Sequence, residues 1–234
     1  SGAGRRAGFR VALLAADAVA NASDVQAKIA GTGMFNAVDV IQLTGMPTPT
    51  LAQLLPYDAV MVWTNSTPTN NVALGDVLAD YADAGRGVVV SVFANSTSNS
   101  LRWLDGRWRT GDYEVITSGG GNTSTAGSLG ALLVPNHPIM QNVSVFTATV
   151  AFRPTQTAVC ATCTKVALWA DGKTFAAVHN VKGNRADLGF FPPSSATNSL
   201  YWDPAVSHGA AAMANALMHV AEYGRCRVDL NFDG

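Results

Sequence analysis

The chain has 234 residues, 48% of them hydrophobic and only 13% charged, about half the charged share usual in a soluble domain. Fifteen basic against sixteen acidic residues leave a net charge of −1, so no overall field draws the chain to nucleic acid or an anionic membrane, and no apolar run approaches the ~18 residues of a membrane span. The length suits one domain whose core needs no metal or disulfide staple, with a surface covered by Ser, Thr, Asn and Gly.

Residues 1–8, rich in Gly, Ala and Arg, read as an N-terminal extension, either a processed terminus or a remnant of cloning. Residues 9–16 (FRVALLAA) form a strand-length apolar run, and 24–30 have helical spacing with Ser23 as N-cap. A second strand follows over 38–43, a short helix over 50–55 capped by Thr48 or Thr50, and a third strand over 59–63. Residues 72–84 place Val72, Leu74, Val77, Leu78 and Tyr81 on one helical face, end at Gly85 and pass into a fourth strand, 87–94, that is apolar on both faces. Continuous apolar strands alternating with helices predict a doubly wound parallel sheet of flavodoxin-like type.

After Asn95 the polar stretch 96–100, the segment 101–104 and the glycine-rich stretch 118–130 read as loops. Gly119, Gly120 and Gly121 lack the Gly-Lys-Ser/Thr ending of a phosphate cradle. The segments 143–152, 165–170, 174–180 and 186–191 are short and β-rich, separated by turns at Asp171-Gly172 and at 182–184, and predict an antiparallel extension of the sheet. A last helix over 204–223 carries Met213, Leu217 and Val220 on one face and stops at Gly224. One α/β domain over 9–224 is expected, with 225–234 as a tail.

Four pieces in this order, LAQLLPYDAV (51–60), YADAGRGVVV (81–90), WLDGRW (103–108) and NHPI (136–139), together with DGK (171–173) and DLGF (187–190), resemble the ThuA-like (trehalose-utilisation) branch of the class I glutamine-amidotransferase-like superfamily over residues 9–223. The resemblance implies an α/β fold of that class. Active glutaminases of this kind place a cysteine in a Gly-x-Cys-x-Gly turn after the fourth strand, where a strained turn exposes the sulfur and aims N–H groups at the oxyanion. Here the turn reads SVFAN (91–95): Phe93 stands at the nucleophile's place between Ser91 and Asn95, without the glycines. ThuA-like relatives often carry a histidine there, so its absence also weakens transfer of a sugar-related activity.

Serines flank the turn at Ser91, Ser96 and Ser98, but no motif joins them to a histidine base. His219 reads as a core-edge or surface residue of the last helix. His137 resembles the family's His-Pro turn, either fixing the loop or lining a site, and His179 ends a strand at the edge where such sheets bind ligands. Aromatics at Trp103, Trp108, Tyr113, Tyr201 and Trp202 are placed on loops, where they could contact sugar or protein or pack over the core. Asp17, Asp105, Asp112 and Glu114 are the carboxylates available to an enzyme, which for glycosidic chemistry would need a pair about 5–10 Å apart.

Cys160 and Cys163 form a lone Cys-x-x-Cys pair before a strand, with Cys226 far away. A thioredoxin-like role needs a helix start, and two cysteines supply only two zinc ligands, which leaves a disulfide involving one of the three or free thiols. Sequons occur at Asn21, Asn65, Asn95, Asn122 and Asn142, as chance also allows in so Asn- and Thr-rich a chain. The ending DLNFDG (229–234) repeats the opening of a calcium loop, with Asp229, Asn231 and Asp233 as oxygen ligands but without the closing glutamate. It resembles the start of a dockerin-like module; an acidic tail without metal is the alternative. Apart from calcium at that tail no cofactor is expected.

The function expected is that of a non-catalytic extracytoplasmic domain on an inactivated scaffold, contacting glycan or protein partners and self-associating. The alternative is a carbohydrate-active enzyme using carboxylates and histidine at the strand ends.

Overall fold

A computed structural model describes residues 8–97 and 101–229, with side chains as far as Gly224. Strands β1 (Arg10–Ala16), β3 (Ala59–Thr64) and β4 (Gly87–Ser91) are apolar but for Arg10, Thr64 and Ser91 at their ends, and apart from Arg10 every residue in them is buried, because helices cover both faces. Strand β2 (Ala37–Gln42) is mostly half-buried, as befits the sheet's outer edge. On one face lie α1 (Val19–Ala30) and the long α5 (Gly209–Asp229); on the other lie α2 (Leu51–Leu54), α3 (Asn71–Asp83) and α4 (Arg107–Thr110). Thr50 and Gln53 close a capping box on α2, and the Asn70 side chain accepts from Ala73 N–H to start α3.

The strand order is β2-β1-β3-β4-β11-β10-β9-β6-β7, with β11 (Arg185–Leu188) parallel to β4. Five parallel strands in the 2-1-3-4-5 arrangement of flavodoxin-like sheets are thus extended by β10 (Thr174–His179), β9 (Cys163–Trp169), β6 (Gly127–Leu132) and β7 (Thr147–Ala148), all antiparallel. A separate two-stranded ribbon joins β5 (Asn122–Thr123) to β8 (Arg153–Pro154).

The chain departs from the sequence reading at five places. Helix α1 begins five residues before the expected Asp24; its N-cap, Ala18, makes no side-chain bond, so no cap residue marked the start. Val72, expected on the core face of α3, is 45% exposed. Residues 127–132, read as loop because of their glycines, are β6; a Cβ at Gly127 would lie 3.0 Å from the Trp169 ring and 2.9 Å from Arg153, so the glycine serves packing within a strand. The segment 186–191, read as antiparallel, supplies the parallel strand β11. The last helix starts at Gly209 and runs through Gly224 to Asp229. Gly224 is no terminator: a Cβ there would sit 2.2 Å from the Gly85 carbonyl oxygen, so it is the point where α5 touches the turn before β4.

Candidate functional site

In a doubly wound sheet ligands bind beyond the carboxyl ends of the strands, where the chain order reverses. Here that point lies between β1 and β3, and Asp17, the residue after β1, occupies it. Its Oδ1 accepts from Ala18 N (2.7 Å), Asn21 Nδ2 (2.8 Å) and Asn65 Nδ2 (3.0 Å), and its Oδ2 from the Trp63 indole (3.0 Å). The Asp17 carbonyl accepts from Gln42 and Thr44. The carboxylate is therefore the hub of the crevice and fully engaged within the protein.

The turn after β4 lies alongside. Phe93 is buried, edge-on to Phe152 (5.2 Å between centroids) and tilted on Phe191 (5.7 Å), with the Arg102 guanidinium 5.3 Å from its ring centre. Tyr201 completes the group against Phe152 and Phe191. The space left between Phe146, Phe152, Phe191, Tyr201 and Trp202 is about 10 Å³, no more than one water requires. Phe93 is thus packed among aromatic rings in the turn after β4. Ser91 is spent as a donor to the Phe190 carbonyl (2.5 Å), and Ser96 and Thr97, directly after the turn, do not start a helix that could aim N–H groups at an anion.

Several sequence candidates lie elsewhere. Trp108 is buried in the core between α3 and the sheet, tilted on Tyr113, because the single turn of α4 folds it inward; it is not a loop contact. Tyr113 and Trp202 are buried too, which leaves Trp103 and Tyr201 half-buried at the carboxyl edge. His179 closes β10, and since β10 runs antiparallel its last residue comes beside Arg185 at the amino end of β11, the edge opposite the ligand edge. Its Nδ1 accepts from Val181 N (3.2 Å) and Lys182 N (2.9 Å), which puts the ring proton on Nε2, facing Thr162 Oγ1 at 3.1 Å. Burial, with Arg185 and Lys182 nearby, lowers its pKa to about 4. His137 caps a one-turn 3-10 helix (Pro138–Met140) by accepting from Ile139 N and packs against His219 of α5 at 5.0 Å; burial lowers the pKa of both.

Cys160 and Cys163 form a disulfide with Cα atoms 5.0 Å apart. Their sulfurs and His179 lie within 4.8 Å of one another, yet the bonded sulfurs and the proton on His179 Nε2 leave that trio without a free ligand set. Asp105, Asp112 and Glu114 belong to the loop on the α3 side, while Asp17 faces Trp63 on the α1 side, so sequence proximity to the turn does not pair them across a cleft. Of the sequons, Asn95 is buried and its amide points at the Val90 and Leu188 carbonyls, which excludes a glycan; Asn21 and Asn65 spend theirs on Asp17, Asn122 lies half-buried in β5, and Asn142 is exposed. The side chains of Cys226, Asp229, Asn231 and Asp233 lie outside the described residues.

Sequence reasoning missed Asp187, the carboxylate inside β11, which is buried beneath the 112–118 segment. Its signal was present: a lone carboxylate within the strand-like run 186–191. A groove of about 540 Å³ lies at the far end of the sheet and is lined by Ser128, Thr147, Thr149, Arg153, Trp169 and Asp171 among others. Arg153 there is buried with every N–H engaged, bonded to Asp171 Oδ2 and to the Thr125, Ala126 and Ala151 carbonyls, and is a structural joint.

No known family profile and no curated protein matches the sequence. The fold, however, has clear counterparts. A ThuA-like protein from Bacteroides uniformis superimposes with a TM-score of 0.60 at 14% identity, covering 94% of each chain. A GMP synthase protein from Thermoplasma acidophilum gives 0.59 at 8% identity, covering 96% of this chain and 100% of its own. The architecture is that of class I glutamine-amidotransferase-like structures: a parallel core sheet with an antiparallel extension.

Proposed function

We propose that the chain is a non-catalytic binding or structural domain built on an amidotransferase-like scaffold, acting outside the cytoplasm on glycan or protein partners and associating with copies of itself. The observation that carries this reading is the burial of Phe93 against Phe152 and Phe191, at the position where the sequence resemblance puts the relatives' nucleophile. The engaged state of Asp17 supports it, because a carboxylate with four internal donors is poorly placed for acid–base work. Half-buried Trp103 and Tyr201 are the aromatic surface left at the carboxyl edge for a sugar ring or a partner chain. Low charge permits self-association, and the Cys160–Cys163 disulfide supports an oxidising location.

Glutaminase and glycosidase assays, combined with glycan-array binding and size analysis, test the proposal. The expected outcome is no ammonia release from glutamine, no glycoside turnover, and binding or association that weakens at least fivefold in Trp103→Ala or Tyr201→Ala. Turnover of a carbohydrate that disappears in Asp17→Asn would overturn it in favour of a ThuA-like enzyme.

A further inference from the structure

The loop that follows the β4 turn ends in a segment, 112–118, that lies across β11 and buries Asp187 to 2% exposure. Among the described residues Asp187 has no ion pair. Arg185, on the same strand, gives Nη1 to the Asp112 carbonyl (2.7 Å) and leaves its Nε without a partner. Asp187 Oδ2 accepts the Ile116 N–H (3.1 Å) and lies 3.5 Å from Asn95 Nδ2. The remaining oxygens of these two side chains, Asp187 Oδ1 and Asn95 Oδ1, are both buried without a donor.

Two leftover acceptors on two groups already in contact lack one hydrogen between them. A proton on Asp187 Oδ1 supplies it, donating to Asn95 Oδ1 while Asn95 Nδ2 donates to Asp187 Oδ2. An ionised Asp187 would leave both oxygens bare at a buried site where it makes no ion pair among the described residues, an arrangement proteins strongly avoid. We propose that Asp187 is a neutral acid paired with Asn95 and that the pair is a proton-operated clasp, fastening the 112–118 segment to the sheet and loosening as pH rises.

The surroundings of Asp187 agree with this. Burial is the main cause raising its pKa, to about 8, and Glu114 on the segment raises it further; Ile116 N–H, Asn95 and Arg185 only partly oppose them. The β4 turn contributes Asn95, and the flanking strands place Val90 and Ala177 beside it, none of which titrates. With the segment lifted, Asp187 meets water and loses its proton near the ordinary value of about 4. The clasped state therefore holds one more proton between about pH 4 and pH 8. Its advantage falls about tenfold per pH unit across that window and is constant above it.

Carbon-13 NMR of the Asp187 carboxyl in the full chain, together with hydrogen exchange of the Ile116 amide corrected for intrinsic base catalysis, tests the clasp. The carboxyl is expected to titrate near pH 8, and opening at Ile116 to rise about tenfold per pH unit between roughly pH 5 and 8. Asp187→Asn, whose amide makes both bonds without a titrating proton, should show a flat opening profile, and Glu114→Gln should move the Asp187 midpoint down. A wild-type carboxyl titrating near 4, or the same slope in Asp187→Asn, overturns the proposal. Should Asp187→Asn not fold, the wild-type titration decides alone.

Discussion

Asp17 and Asp187 are two carboxylates of the same sheet, each 2% exposed and without an ion pair among the described residues, yet their surroundings are opposite. Asp17 lies between β1 and α1, so a backbone N–H at the helix start, the amides of Asn21 in α1 and Asn65 after β3, and an indole converge on it. Asp187 sits within β11, where the ladder consumes the neighbouring backbone groups, and the β4 turn and the 112–118 segment bring it only one amide and one backbone N–H. Burial makes an unaided carboxylate costly at either position. What differs is the supply of donors, which a strand end can gather from several elements and a strand interior cannot.

The sharpest way to break this comparison is to make one substitution at both sites. Asp17→Asn turns an acceptor into a donor that faces N–H groups, and should cost about 3 kcal/mol in denaturant unfolding. Asp187→Asn at pH 8 should cost less than about 1 kcal/mol or stabilise, because it reproduces the protonated acid. Equal losses would mean that burial alone governs both positions. Removing one donor should give a smaller effect: Trp63→Phe withdraws the indole N–H from Asp17 and is expected to cost about 2 kcal/mol, measured by thermal unfolding.

The smallest effect is an acid one. His179 and His219, both lowered to about 4 mainly by burial, are neutral in the fold and gain a proton more readily when unfolded. Their contribution is complete above about pH 6.5 and is lost as pH falls towards 4, on the order of 1 kcal/mol each. The Asp187 slope runs the other way over the same range. Unfolding of Asp187→Asn between pH 7 and 4 should therefore fall more steeply than that of the wild type.

Much of the parallel half was legible because continuous apolar runs such as 59–63 and 87–94 leave no other reading, although the second ends as a strand at Ser91, and the resemblance in the motifs from 51 to 139 pointed to the fold class. That the turn after β4 carries Phe93 and no thiol was legible too. The antiparallel half was harder: Gly127 and Gly130 look like loop residues but let β6 approach Trp169 closely, and direction decides which edge His179 reaches. Pattern alone does not carry strand direction. Donor supply is equally hidden, so Asp17 appeared only as one acidic residue among four and Asp187 only as part of a motif.

The pairing of β4 with β11 also bears on how the chain can be made. Ser91 of β4 and its partner region at Leu188 are 97 residues apart, and the whole antiparallel extension lies between them in sequence. While the chain is synthesised from its N-terminus, Val88, Val89 and Val90 stand on an unpaired strand flank until residues 185–188 emerge, the kind of flank that invites a neighbouring chain to add a strand. Slow translation or truncation before Arg185 should therefore send this protein into aggregates, whereas a break within the 101–118 loop of the finished molecule would leave that flank covered.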